Sequence, residues 1–566
     1  MTETSANSDT INDLVYATVD GRDLKLDIYR DASISEPQPL VVWIHGGAWR
    51  KGNRKSPRAK SLVSQGYVVA SVEYRLSQEA IFPAQIHDCK AAIRWLRSNA
   101  GTYGIDPERV GAWGPSAGGH LVALLGTSGD VAGLEGKLGV TGVSSRVQAV
   151  VDWYGPTDFL RMNDVPGKMD HDAPDSPESQ LVGAPIQDHP DLAARANPIT
   201  YASEDDPPFL IMHGAQDWTV IQNQSEFLHA ALQDTGVPST LIVLDDQGHG
   251  FKAGNLTQDT FDRHVVSFFD RTLKGKPSRW ADHDTNPEPW VSDSGPNLPN
   301  TRDVLFHSKT LDGYYGYSIY LPPSYTGDTN RQYPTVYWLH GRNGKPHSAY
   351  RFIQRAARAV EAGLCPEMII VAANGLKSSM YIDSRDGVYP VETVIVNDLV
   401  PHIESTYRVI PERAGRAIDG FSMGGFGAAH LGFKHPERFG TVSLMGAALH
   451  RPEFFSEQRK EIFADVFGND LSYCKRESPW TLVRKHAGSL KERTHLRLFV
   501  GSEDRRLRSK NTEFSTLMDS LGLDHEYGVV EGAGHNVAEV LDELGERAWT
   551  FYAKAFRQGG ISGDVD

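Results

Sequence analysis

The chain reads as two α/β domains in tandem, each a mostly parallel, doubly wound sheet with helices on both faces. Three observations predict this. At 566 residues the chain is too long for one hydrophobic core, so two or three domains are expected. Short runs rich in Val, Ile and Leu alternate with helical patterns along most of its length, the order that produces a parallel sheet covered on both sides. One segment breaks the alternation: residues 276–300 are rich in Pro, Asp, Ser and Asn without an apolar period, which is linker chemistry. Cutting there leaves a first domain at 1–275, a second at 301–558 and a short tail at 559–566. Trp280 and Trp290 are expected to pin the linker against a domain surface.

In the first domain the buried strands are expected at LVVWIHG (40–46), YVVASVEY (67–74), RVGAWG (109–114), VQAVVDWYG (147–155), PFLIMHG (208–214) and STLIVLD (239–245). Helices are expected over AQIHDCKAAIRWLRSN (84–99) and directly after Ser116. The second domain repeats the pattern with GYSIYLP (316–322), PTVYWLHG (334–341), MIIVAANG (368–375), RAIDGFS (416–422), GTVSLMG (440–446), LRLFVGS (496–502) and EYGVVEG (526–532).

Composition narrows the function classes. With 40% hydrophobic and 23% charged residues the chain is an ordinary globular protein. No apolar run approaches the roughly 18–20 residues needed to span a bilayer, so no membrane partner is expected. A net charge of −15 argues against a nucleic-acid partner. The basic run KGNRKSPRAK (51–60) is expected to be a solvated loop. The acidic N-terminus MTETSANSDTINDL lacks a signal-peptide pattern, which predicts a cytoplasmic location unless a signal has been removed. Three scattered cysteines, Cys89, Cys365 and Cys474, make neither a disulfide framework nor a thiolate zinc site. Cys89 is expected to pack in a helix, and neither metal nor organic cofactor is expected.

The chemistry lies in two matching constellations. Gly114-Pro-Ser116-Ala-Gly118 and Gly420-Phe-Ser422-Met-Gly424 fit G-x-S-x-G, each between a strand and a small-residue helix start. Such a tight turn presents a serine Oγ above the sheet. A serine hydroxyl needs a base, and the base needs an acid to orient it. Asp217 follows one strand and His249 the next; Asp504 and His535 repeat this. The acid-to-histidine gaps nearly coincide, at 32 and 31 residues. Asp152 and Asp158 are weaker candidates for the first acid, and Glu503 for the second. His87, His120 and His213 are read as structural. An oxyanion hole is expected from the amides after each serine, Ala117 and Met423, joined by Gly47 and Ala48 in the first domain and Arg342 in the second. His45 and His340, which begin these loops, are read as bracing them.

Residues 12–275 resemble hormone-sensitive-lipase-like esterases, especially a bacterial branch with feruloyl and acetyl-xylan esterases, through HGGAWRKG, YGIDPERVGAWGPSAGGHLVALLGTSG, HGAQDWTV and GHGF. Residues 303–557 resemble an esterase family that includes feruloyl esterases and S-formylglutathione hydrolases, through YSIYLPPSY, YPTVYWLHG, NDLVPHIESTYRV, RAIDGFSMGG and GHN. The resemblance implies two α/β-hydrolase domains acting as serine carboxylesterases on an ester-decorated polysaccharide or a small phenolic ester. HGRNG in the second domain departs from the smaller residues of relatives, so Arg342 is expected to narrow the acyl pocket or bind an anionic group. His535 is followed by Asn536-Val537 where many feruloyl esterases have Asp-Trp. Insertions at about 160–205 and 450–490 are expected as caps, with Tyr201, Phe454, Phe455 and Trp480 as candidate contacts to a phenolic group. The competing readings are a general short-chain carboxylesterase with one domain serving only to bind carbohydrate or as a scaffold, and a serine peptidase of the prolyl-oligopeptidase type. No propeller-like block precedes either domain to favour the peptidase.

Overall fold

The computed structural model describes residues 8–252, 258–276, 290–291, 297–491 and 493–558. The chain forms two compact units, Met1–Asp282 with Asp293–Pro299, and His283–Ser292 with Asn300–Asp566. Most of the expected linker, Trp280 and the tail 559–566 lie outside the described residues.

The first unit contains strands β1 (Ser8–Val19), β2 (Arg22–Asp31), β3 (Gln38–Ile44), β4 (Val68–Val72), β5 (Ile105–Pro115), β6 (Ala149–Trp153), β7 (Phe209–Gly214) and β8 (Ser239–Leu244). They lie in the order β1-β2-β4-β3-β5-β6-β7-β8. The pairs β1/β2 and β2/β4 are antiparallel and the remaining pairs parallel. Every residue of β4, β6, β7 and β8 is buried. That is why these segments read as continuous apolar runs rather than alternating ones.

The second unit builds the same sheet from β9 (Thr301–Ser308), β10 (Gly313–Tyr320), β11 (Thr335–Leu339), β12 (Ile369–Ala373), β13 (Arg416–Phe421), β14 (Thr441–Met445), β15 (His495–Gly501) and β16 (Glu526–Val530). The order is β9-β10-β12-β11-β13-β14-β15-β16, antiparallel across β9/β10 and β10/β12 and parallel beyond. Trp290 packs in this unit: its carbonyl accepts from Gly316 N at 2.9 Å and Asn374 Nδ2 at 3.0 Å, with its ring 6.1 Å from Tyr315. Both units have the α/β-hydrolase fold.

Two features depart from the sequence reading. Strands β1, β2 and β9 were not among the expected runs, because these hairpin strands interleave polar residues with apolar ones instead of running continuously apolar. A local signal was present: Asp20 and Gly21, at φ 50° and 81°, form an Asp-Gly turn of the kind that closes hairpins. The basic run 51–60 is only partly solvated. Arg54 is buried among carboxylates, 3.0 Å from Asp27 and also paired with Asp13 and Glu73. The Arg58 guanidinium lies over the Trp153 ring at 4.6 Å. Burying a guanidinium is tolerable here because carboxylates surround it. Among the described residues no helix is long and apolar enough to cross a membrane.

Candidate active sites

Each elbow stands at the C-terminal end of a central strand, where this class of sheet places ligands. Ser116 falls between β5 and the helix Ala117–Thr127, and Ser422 between β13 and the helix Met423–Lys434. Both serines adopt φ/ψ values L-residues rarely visit, 55°/−124° and 61°/−114°. Backbone bonds hold them there. Ser116 N donates to Trp153 O at 2.8 Å, and Ser422 N to Met445 O at 3.0 Å. The flanking glycines are obligatory for packing. A Cβ at Gly118 would collide with the Ile44 carbonyl, and one at Gly424 with the Leu339 carbonyl.

The elbow brings each serine to its histidine. In the first unit His249 Nε2 lies 3.1 Å from Ser116 Oγ, and its Nδ1 2.7 Å from Asp217 Oδ2. In the second, His535 Nε2 lies 2.9 Å from Ser422 Oγ, and its Nδ1 2.6 Å from Asp504 Oδ2. An ionised carboxylate only accepts, so Nδ1 carries the proton and Nε2 presents its lone pair to the serine. The imidazoles keep 28% and 22% of their side-chain exposure while the two carboxylates are shut away at 0% and 2%, so only the histidines face a substrate.

Both acids stay ionised despite their burial. Burial alone would raise the Asp217 carboxyl, but His213 and His249 hold it well below the usual carboxylate range. Its Oδ1 accepts from Thr219 N and Val220 N at 2.8 and 3.0 Å. Burial likewise opposes ionisation of Asp504, and the bond from His535 outweighs it, lowering that carboxyl. The neighbouring Glu503 is exposed and takes no part in this relay.

Of the other candidates, Asp152, Asp158, His87 and His120 make their bonds outside the two relays, and His213 borders the first. Asp152 is fully buried and pushed up to about 7 by that burial; its Oδ1 accepts from Gly155 N at 2.9 Å. Asp158 accepts from Asn197 Nδ2 at 3.1 Å. His87 Nε2 donates to Gly133 O at 3.2 Å. His120 donates from Nε2 to Ala196 O at 2.7 Å and accepts from Trp49 Nε1 at 3.2 Å, and burial takes it down to about 4. His213 has a larger part than the sequence suggested. It donates from Nε2 to Val220 O at 2.8 Å, and this nitrogen lies 3.6 Å from Asp217 Oδ2.

The loops after β3 and β11 reach the nucleophiles. A Cβ on Gly46 would lie 3.4 Å from the Ser116 Cβ, and one on Gly341 3.4 Å from the Ser422 Cβ. Gly47, Ala48 and Arg342 follow immediately. The first loop turns through left-handed residues, Gly47 at φ 117° and Ala48 at φ 55°, and closes by bonds from Arg50 N and Lys51 N to Gly47 O. His45 Nδ1 donates to Gly46 O at 2.8 Å, and His340 Nδ1 to Gly341 O at 2.8 Å. Both histidines therefore brace their loops. Ala117 and Met423 are first residues of their helices, where backbone N–H groups have no intrahelical acceptor.

Sequence reasoning missed the rings that pack on the bases. Tyr154, at φ 44°, lies 4.8 Å from the His249 ring, and Phe421 lies 4.7 Å from His535. In front of Ser422 opens a cavity of about 640 Å³ whose wall includes Arg342, Met423, His450, Phe454 and Phe455. Phe454 stacks on His450 at 3.7 Å and 9°. Of the expected cap aromatics, Phe454 and Phe455 thus line this cavity, and Trp480 is not part of its wall. Trp480 packs edge-on against Phe514 beneath Arg451. Tyr201 donates its hydroxyl to Arg195 O at 2.8 Å.

One further cluster, Glu392, His430 and Glu477, has the composition of a metal site. Its cation comes from the chain: Lys434 Nζ lies 2.8 Å from Glu392 and 2.6 Å from Glu477.

Residues 26–232 match the family model described as BD-FAE, and residues 308–560 match the one described as Putative esterase. The chain is a tandem of two esterase-family domains. The chain aligns with Esterase LipQ of Mycobacterium tuberculosis at 32% identity over 265 residues, 45% of the tandem and 61% of the relative. Esterase LipC of the same organism is 29% identical over 255 residues, 43% of the tandem and 61% of the relative. The tandem therefore spans about three fifths of the length of these relatives. Among solved structures, a truncated carbohydrate esterase from gut microbiota is 33% identical, with a TM-score of 0.43, covering 48% of the tandem and 99% of that chain.

Proposed function

We propose that both domains hydrolyse carboxylic esters through an acyl-enzyme, Ser116 and Ser422 being the nucleophiles. The observation that carries this reading is the pair of complete relays, in each of which the imidazole lies within 3.1 Å of both the serine hydroxyl and a buried ionised carboxylate. As the serine attacks the ester carbonyl, histidine Nε2 takes its proton, and the carboxylate stabilises the imidazolium that forms. The oxyanion rests on the amides of Ala117 with Gly47 and Ala48, or of Met423 with Arg342. The imidazolium protonates the leaving alcohol. Water, deprotonated by the same histidine, then releases the acid.

Hydroxycinnamoyl and acetyl esters of plant-type polysaccharide are the proposed substrates. The stacked Phe454–His450 wall beside Ser422 suits a planar phenolic acyl group, which gains by offset stacking. Two tethered esterases also suit a polymer carrying more than one decoration, because the second encounter becomes intramolecular.

The test compares the parent chain, Ser116→Ala, Ser422→Ala and the double variant on methyl ferulate, acetylated xylan and p-nitrophenyl acetate. Each single variant is expected to keep turnover on at least one substrate, and the double variant to lose all of it. Full activity in the double variant would remove both serines from the chemistry. If one single variant abolishes everything, only one domain is an esterase for these substrates. An isolated domain that binds xylan without turnover would favour a scaffolding role for it.

A further inference from the structure

The wall of the cavity in front of Ser422 carries Arg342, Arg459, Arg505, Arg506 and Lys510, and among the described residues no Asp or Glu. In a chain of net charge −15 this is a local reversal of sign. The five cations come from three separate stretches: the loop after β11, the cap, and the turn and helix start after β15. Their convergence is a product of the fold and not of one basic run. Among the described residues, only Arg342 of the five has a carboxylate within ion-pair range, Glu461 at 3.8 Å. That glutamate is 86% exposed, so the pair is weak and easily displaced. Lys510 is held by a bond from Nζ to Arg506 O at 3.0 Å.

The field of these groups reaches the cavity wall. His450, stacked on Phe454, is lowered to about 4 by burial first and then by Lys510, Arg459 and Arg506. A neutral substrate leaves this positive potential unanswered. A substrate with an anionic group is drawn toward the cavity and gains contacts that no neutral ester has.

We propose that the second domain selects esters carrying a negative charge near the scissile bond: a carboxylate on the alcohol side, as in a uronate-bearing saccharide, or a free acid on the acyl side. This rests on the esterase reading of that domain. The chemistry is unchanged: water adds across the ester and the charged group stays on its fragment.

The test uses the full chain with Ser116→Ala, so that only Ser422 turns over. Two matched pairs of substrates differ only in charge. On the acyl side these are p-nitrophenyl glutarate monoester and its methyl ester; on the alcohol side, 4-carboxyphenyl acetate and its methyl ester. The anionic member is expected to have the higher kcat/KM in at least one pair, by about tenfold at low ionic strength, shrinking as salt screens the field. The pair that shows the preference identifies the side that carries the charge. The double variant Arg506→Gln/Lys510→Gln is expected to reduce that ratio several-fold. A ratio of one or less in both pairs overturns the inference, as does one that neither salt nor the double variant changes. Loss of all turnover in Ser116→Ala instead removes the esterase reading of the domain, and this inference with it.

Discussion

Asp504→Asn, placed in a Ser116→Ala chain, tests whether this carboxylate orients the base of the second domain. The substitution preserves shape and leaves an oxygen that can still accept from Leu507 N, 3.2 Å from Oδ1. It changes what stands 2.6 Å from His535 Nδ1. If the amide turns its oxygen to Leu507, its NH₂ faces the imidazole and the ring must adopt the other tautomer. Nε2 then carries the proton toward Ser422 and has no lone pair with which to accept one. If the amide flips, Nδ1 keeps an acceptor but loses the negative charge that stabilises the imidazolium. In the chymotrypsin template the same change costs about 10⁴ in kcat, or about 5 kcal/mol of transition-state stabilisation. A loss of 10³–10⁴ in kcat on p-nitrophenyl acetate is therefore expected. KM should change little, since Asp504 is buried and touches no substrate. Glu503→Gln, an exposed site outside the relay, serves as the control and should stay within about twofold. The assignment fails if Asp504→Asn stays within tenfold of its parent while the thermal unfolding midpoint is unchanged, or if Glu503→Gln carries the loss.

Gly424→Ala is expected to abolish turnover at Ser422 and to destabilise the second domain by about 1–3 kcal/mol or more, since the new methyl group meets the Leu339 carbonyl; urea unfolding followed by active-site titration checks this. Asp152 gives a pH signature in the first domain. Its folded carboxyl, at about 7, lies above the ordinary unfolded value of about 3.9, so the folded state holds the extra proton. Stability is expected to fall as pH rises between those values. Asp152→Asn removes that slope, so the variant should gain on the parent between pH 5 and pH 8 in thermal unfolding midpoint, while its Ser116-dependent turnover persists. A pH-independent difference would remove the titration argument, and loss of turnover would return Asp152 to the list of candidate acids.

The elbows, the acid-to-histidine spacing and the loop glycines were legible because each lies within a few residues of a strand end. The sheet then carries these short segments to one edge, so reading the strand order sufficed. Other features depend on packing between distant segments and leave little local trace. His213 was read as an isolated structural histidine, yet β7 and the turn after it fold the imidazole back beside Asp217. Tyr154 and Phe421 flank the bases only because strand ends from other parts of the sheet deliver His249 and His535 to them. The basic wall around Ser422 was visible only as Arg342. Arg459, from the cap, and Lys510, from the helix after β15, are far from it in sequence and meet it only where the fold brings those elements to the same cavity wall.

The two domains reach one requirement by different local means. Each needs the loop beside its nucleophile to hold its amides still, and each uses the same bond, from the histidine Nδ1 to the next glycine carbonyl. A tyrosine hydroxyl then fixes the histidine carbonyl in both, Tyr74 at 2.9 Å and Tyr381 at 3.1 Å. These tyrosines follow β4 and β12, which hold the same position in the two sheets. Their rings differ: Tyr74 stacks on His45 at 15° between planes, while Tyr381 is tilted by 60° from His340. Sheet geometry thus sets where the brace must come from and leaves the side chain free to meet it from a new angle. The caps are under no such constraint, because no strand register passes through them. Divergence in substrate between the two domains should therefore be sought among cap residues such as Arg459 and Phe454, and not in the relays.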